Sequence, residues 1–293
     1  MIIFPKFTGT ADKMKKILSL LIIISIICIH ISIITASSRN ISGEYEYIVE
    51  NGYAIIRGTI DISGDIVIPE QLDGYPVTGI GSNTINTNSI SFKNKLTSVV
   101  LPNSLQFIGY GSFKDCTLLK SVTIPDSVVF IRPDAFKNCT SLASITIPDS
   151  VTTIDNDAFK GCTSLKEVSI PNTVIDIGPY IFGGCTNITK VTIDSNAIGV
   201  GMFYGCISLT TVNIGDNVEF IGAESFVGCE SLDSIIIPDS VQYIDHAVFI
   251  GSNISSIIFY NPNTVFEEGI DEVFTIYPRG PTDETQTVTI STR

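Results

Sequence analysis

Six cysteines at near-regular intervals are the residues of this chain best suited to chemistry: Cys116, Cys139, Cys162, Cys185, Cys206 and Cys229. Thiols in this number suit disulfides in an oxidising compartment, or a metal site. Their spacing argues against both. Side chains at one position of successive repeats point in parallel, whereas a disulfide needs converging Cβ atoms about 3.8 Å apart. A metal needs ligands that meet at a point, and these fall along a line. A column of buried thiols, each acting as a small apolar side chain, fits the spacing. His246 follows Asp245, but the only other histidine is His30, and no nucleophile accompanies the pair. His246 sits at a variable position held elsewhere by Pro133, Asn156 or Ala223, so it reads as a surface residue rather than a general base. Asp126, Asp149, Asp216 and Asp239 share another repeat position, with Asn103 and Asn172 beside them. A line of oxygens suits Ca²⁺. Asp after Pro is also what a tight turn prefers, and the turn reading is favoured. Gly-rich phosphate loops and hydrolase elbows are absent from the sequence. The expectation is a chain with no catalytic residue, no cofactor and no metal.

The elements that carry these residues are repeats. Phe recurs at 113, 136, 159, 182, 203, 226 and 249, at intervals of 23 residues with one of 21. Each of the first six is followed three positions later by Cys; the seventh has Ser252. Within one unit Leu142, Ile145 and Ile147 match the L-x-x-I-x-I core of a leucine-rich repeat. Ile145 and Ile147 flank Thr146 with the period-2 alternation of a strand. Pro148-Asp149 stops that strand, Val151 and Ile154 begin a return path, and Ala158 and Phe159 fill the far side. One such coil cannot bury both sides of its own apolar residues, but stacked coils cover one another. The predicted fold is therefore a leucine-rich-repeat solenoid, β-rich with a parallel strand stack and little helix. It would hold about seven to eight coils.

The units L-x-x-I-x-I-P-x-S-V-x-x-I-x-x-x-A-F-x-x-C resemble the BspA-like leucine-rich repeats, as does the segment from Asp65 to Gly81. The resemblance spans roughly residues 65 to 260. It implies exported proteins, a solenoid fold, and surface binding or adhesion, with no shared catalytic residues to carry over. Three features depart from the pattern. The marker Phe is missing near Ile85, with extra residues over Asn86 to Asn94. The unit around Ala197 to Met202 is two residues short, and Asp194 and Gly215 replace Pro.

Domain boundaries follow from composition. Residues 1–38 read as an export signal or a membrane anchor: Lys15 and Lys16 precede an apolar run from Ile17 to Ile34, and small residues follow at Ala36 to Ser38. Residues 39–64 read as an N-terminal cap hairpin turning at Asn51-Gly52. The solenoid occupies 65–262, and 263–293 supply a C-terminal cap strand over Val273 to Tyr277 and a polar tail that is frayed or a linker. Sequons stand at Asn40, Asn138, Asn187 and Asn253. The net charge of −13 repels phosphate backbones, so no nucleic-acid partner is expected. Membrane contact is expected only through the N-terminal segment, if it is not cleaved.

Two surfaces are candidates for partner binding. Phe107, Phe130, Phe220 and Tyr243 share one return-path position, with Thr153 and Asp176 between, and should point outward. Either they meet a partner or they stack between adjacent coils. Ile236, Ile258 and Tyr260 place an apolar patch on the otherwise Ser/Thr-rich strand face. Either it is an interface or a cap strand covers it. The expected function is a non-catalytic cell-surface or secreted binding or adhesion module acting on protein or glycan. A self-associating structural surface protein is the alternative.

Overall fold

The computed structural model describes residues 39–59, 62–81, 95–261 and 263–266, and the backbone of 289–292. The leader over 1–38, the loop over Asn86–Asn94 and the strand expected over Val273–Tyr277 lie outside the described residues.

One turn shows how the repeat becomes a coil. Leu142, Ile145 and Ile147 face inward with Thr146 exposed between the last two; Val151 and Ile154 return inward, and Ala158 and Phe159 close the far side. None of these inward residues is more than 7% exposed. The same pattern in every turn produces two columns of parallel strands. The first column comprises Gly64–Val67, Leu96–Val100 and Ser121–Thr123, then Glu167–Ile170, Lys190–Ile193 and Thr211–Ile214, then Ser234–Ile237, Ser256–Phe259 and Thr289–Thr292. The second, on the return path, is built from two-residue strands such as Phe107–Ile108, Phe130–Ile131 and Thr153–Ile154. The described residues contain no helix.

Between the columns runs the core. The seven repeat Phe rings stack in one file, neighbours 5.1 to 5.8 Å apart and within 14° of parallel. Beside them each Cys from 139 to 229 donates its thiol to the carbonyl of the Phe in the preceding turn, at 3.1 to 3.3 Å. The expected thiol column is thus a hydrogen-bonded ladder, and its six cysteines are free and buried. Burial pushes the Cys185 and Cys229 thiols up to about 12, so they stay neutral and unreactive.

The segment around each Phe makes a tight double bend. The residue two before Phe is left-handed in turn after turn: Asp134, Asp157, Tyr180, Gly201, Glu224 and Ala247 all have φ between 56° and 58°. Such a conformation costs a residue with a Cβ about 1–2 kcal/mol. Several side chains at this position offset it. Asp134 accepts from Lys114 at 2.7 Å and Lys137 at 3.2 Å, and Asp157 from Lys137 at 2.7 Å and Lys160 at 3.3 Å. The Lys160 ammonium then lies 5.1 Å over the Tyr180 ring, and the Tyr180 hydroxyl donates to Glu224 at 2.7 Å.

That last bond spans the short turn. Tyr180 reaches across Gly201, whose missing side chain leaves room for the ring, to the turn beyond. The two lost residues remove the inward Val that Val151, Val174 and Val218 supply elsewhere, and buried Ser195 fills in with a bond to its own turn. The return column pays for this by losing a strand pairing between Asp176–Ile177 and Ala197–Ile198.

At the N-terminal end Tyr45–Glu50 and Tyr53–Thr59 form a hairpin through Asn51 and Gly52, both left-handed as a type I′ turn requires. Tyr53–Thr59 then joins Tyr75–Ile80 in parallel, extending the return column. At the other end the polar tail, expected as a frayed end or a linker, supplies a strand: Thr289–Thr292 pairs in parallel with Ser256–Phe259. Its Thr-Ile-Ser-Thr alternation suits a strand, and the stack offers it an open edge.

Ala247 takes the left-handed position with no side chain able to offset the cost. Ala247→Gly is expected to raise unfolding free energy by about 1 kcal/mol in urea titration; an unchanged or lower value would show that the bend is unstrained.

Candidate functional site

The return-path aromatics do not form one exposed series. Phe107 is buried, 8% exposed, against Ile48 and Ile55 of the hairpin, and its ring lies over Gly79 of the paired strand. It is therefore not a contact residue. The repeat position does point outward, but the hairpin, which is not part of the repeat, folds over it. Phe130 is half-buried at the edge of that cluster, with the Arg132 guanidinium 4.5 Å above its ring. Phe220 and Tyr243 stack on one another at 5.4 Å and 7°, four turns away along the column. Thr153 between the pairs is buried and Asp176 is exposed. Stacking between coils thus accounts for Phe220 and Tyr243, and they and Phe130 stay half-buried.

The strand face carries the larger accessible surface. Thr123, Thr146, Ser169 and Asn213 are exposed along its middle. Ile236 is 48% exposed and Tyr260 39%, while Ile258 is half-buried because the Thr289–Thr292 strand lies beside it. The structure thus brings Ile236 and Tyr260 together on one face. It does so at a break: Thr211–Ile214 pairs with Lys190–Ile193, and Ser234–Ile237 with Ser256–Phe259, but the two sets do not pair with each other. Val212 and Ile214 are only partly buried there, whereas Val191 and Ile193 one turn earlier are fully buried. The break opens a cleft of about 890 Å³ lined by Thr211, Asn213, Asp216, Ile236, Asp239 and Tyr260, among others. Pairing also lapses over residues 143–147, but Ile145 and Ile147 stay buried.

A second cleft, of about 430 Å³, lies at the N-terminal end of the same face, around Val67 and Val100. These valines are 69% and 56% exposed. Val100 ends the strand Leu96–Val100 as an exposed residue, and Val67 ends the strand Gly64–Val67 beside it. Polar groups here satisfy one another: Glu70 accepts from the Asn103 amide at 2.8 Å, and Asp65 from Thr97 and Ser98 at 2.6 and 2.7 Å.

The remaining candidates are dispersed. Asp126, Asp149, Asp216 and Asp239 are exposed on four separate turns, and among the described residues no three metal-binding side chains gather. His246 is part-exposed with its ring nitrogen 2.7 Å from Asp245. Of the sequons, Asn138 is tied to Asp115 at 2.8 Å and Asn253 to the Glu230 carbonyl, whereas Asn187 is exposed. The Tyr180–Glu224 bridge was not foreseen. Its signal was the short unit itself, with Gly201 opposite an aromatic at the same repeat position.

A stack of coils with L-x-x-I-x-I strands on one side and a Phe file within defines a leucine-rich-repeat protein. The model of the BspA type leucine rich repeat region matches residues 83–201 and 196–272. The chain belongs to that family. A leucine-rich-repeat protein of T. pallidum is 31% identical, over 67% of this chain and 91% of its own, with a TM-score of 0.60. One from Eubacterium ventriosum, 17% identical over 85% of this chain and 98% of its own with a TM-score of 0.51, shares the fold. No curated protein matches the sequence.

Among the polar contacts that fasten the hairpin are two to Asp73. Asp73 accepts from the Tyr47 hydroxyl at 2.6 Å and from Ser42 at 2.8 Å. The bond to Asp73, followed by burial, pushes Tyr47 up to about 12 from 10.0, and the same bond lowers Asp73. The Tyr47 contribution is complete below pH 10 and is lost as pH rises through 12. Tyr47→Phe is expected to lower stability at pH 8 by roughly 1–3 kcal/mol and to flatten the decline between pH 10 and 12. Urea midpoints across that range check it; equal slopes for both chains would contradict it.

Proposed function

We propose that the chain is a non-catalytic binding module, at the cell surface or secreted, whose contact surface is the strand face of its last turns. The observation that carries this reading is the exposed Ile236 and Tyr260 beside an open cleft on a regular scaffold. Apolar side chains gathered at a solvent face mark interfaces more often than scattered ones do. Membership of the BspA-type family supports it, as does the export-like leader read in the sequence. The half-buried rings at Phe130, Phe220 and Tyr243 are secondary contacts, each able to offer an edge but held by its neighbours.

Self-association is the second reading. The strand column ends at Gly64–Val67 and at Thr289–Thr292, each with one edge unpaired among the described residues. Light scattering separates the two: a concentration-independent monomer removes the assembly reading.

The test of binding is a pull-down from extracellular-matrix protein and from the producing cell's surface extract. With the paired substitutions Ile236→Ser and Tyr260→Ala, a captured partner is expected to bind at least about tenfold more weakly, a loss of roughly 1.4 kcal/mol. Phe107→Leu, which changes a buried ring, should leave affinity unchanged in the folded chain. Retained affinity in the face variant would move the contact surface elsewhere.

A further inference from the structure

The two clefts on the strand face differ in what their polar groups do. In the N-terminal one, the Glu70 carboxylate is occupied by the Asn103 and Ser104 amides. In the C-terminal one, the Asp216 and Asp239 carboxylates are left open. Asn213, exposed on the cleft lining, donates its amide to Thr192 at 3.5 Å and keeps its carbonyl oxygen as a further acceptor. Asp216 and Asp239 stand one turn apart on the rim, and Tyr260 presents a ring at the far side. Ser240 lies in the cleft wall. At its repeat position Ser127 and Ser150 donate to the preceding turn's carbonyl, Leu105 at 2.6 Å and Val128 at 2.7 Å. The Ser240 hydroxyl is buried without such a bond, as is that of Thr173 at the same position of an earlier turn, and of the two only Ser240 borders the cleft.

Parallel pairing explains why these groups stay open. In a parallel strand the amide and carbonyl of one residue point to the same neighbour, and those of the next residue to the other. Tyr260 donates to the Ile237 carbonyl, so residues 235 and 237 face the following turn. Ser234 and Ile236 face the preceding one, where no pairing is made. The cleft thus has an amide oxygen and the Asp216 carboxylate on one side, and main-chain groups, the Asp239 carboxylate and a buried hydroxyl on the other. Partly buried Val212 and Ile214 supply an apolar floor.

A ligand for such a cleft must bring many donors in a small volume, with an apolar face to lie against the floor and Tyr260. It must also carry no negative charge, because Asp216, Asp239 and a chain of net charge −13 oppose anions. An extended peptide brings one main-chain donor per residue on fixed centres. A sugar ring brings several hydroxyls, each donor and acceptor, on a face of C–H groups. The cleft volume of about 890 Å³ falls within the range of small-ligand sites. We propose that the cleft between Thr211–Ile214 and Ser234–Ile237 binds a neutral saccharide. This rests on the binding-module reading and names its ligand class.

The test uses the full chain and a panel of neutral di- and trisaccharides, with sialylated and sulfated counterparts, followed by saturation-transfer NMR and calorimetry. Saturable binding of at least one neutral sugar is expected, with its acidic counterpart about tenfold weaker or more. Asn213→Ala, Asp239→Asn and Tyr260→Ala should each weaken binding about tenfold with unchanged melting temperature, and Thr146→Ala, exposed elsewhere on the face, should not. No transfer to any neutral sugar at millimolar concentration overturns the proposal, as does binding that survives all three substitutions. A peptide or protein bound through Ile236 with no sugar binding removes the saccharide and leaves the module; loss of every partner, sugar and protein alike, removes both.

Discussion

Everything in this chain depends on the contact of one Phe ring with the next. A single coil of Leu, Ile and Phe exposes both of its flat sides, and no residue within it can cover them. The neighbouring coil can, and the file of rings at 5.1 to 5.8 Å is the contact that repeats without interruption. It survives the short turn at Gly201, where the return strands fail to pair, and it survives the break after Ile214, where the face strands fail to pair. Aromatic stacking needs no fixed hydrogen-bond register, so it tolerates shifts that a β ladder does not. The thiol bonds to the Phe carbonyls tie the same position to the backbone.

Because the core is continuous, the surface is free to vary. The bend beside each Phe needs a left-handed backbone and little else, so its side chain is open to Asp, Tyr, Glu or Ala. Lysines exploit that in the first turns as a charge zipper, and Tyr180 uses it to bridge the short turn. On the opposite side the break after Ile214 costs some main-chain pairing and exposes part of two core residues. What it gives in return is the larger of the two clefts described on that face.

Much of this was legible in the sequence, for a physical reason: a solenoid repeats its environment, so spacing alone assigns inside and outside. The Phe and Cys columns, the alternation about Thr146 and the turn at Pro148-Asp149 follow directly. Legibility ended where the environment does not repeat. Phe107 reads as outward until the hairpin residues Ile48 and Ile55 cover it. Ile258 reads as exposed until the tail strand lies alongside. The left-handed bends had left a trace, since Asp, Asn and Gly crowd the positions two before and two after Phe, the residues that tolerate positive φ. The break after Ile214 had none: Val212 and Ile214 are the same residue types as Val191 and Ile193, and only the pairing differs.

The cleft is the place where scaffold turns into site, and it exists only if the strands on either side are truly unpaired. Native-state hydrogen exchange at three equivalent amides tests that. Thr192 and Ile258 lie in continuous ladders, and Ile236 faces the break. The Ile236 amide is expected to exchange faster than the other two by well over about tenfold, since an amide without an acceptor needs no opening of the ladder. Equal protection at all three would mean that the ladder closes in solution, and the cleft with it.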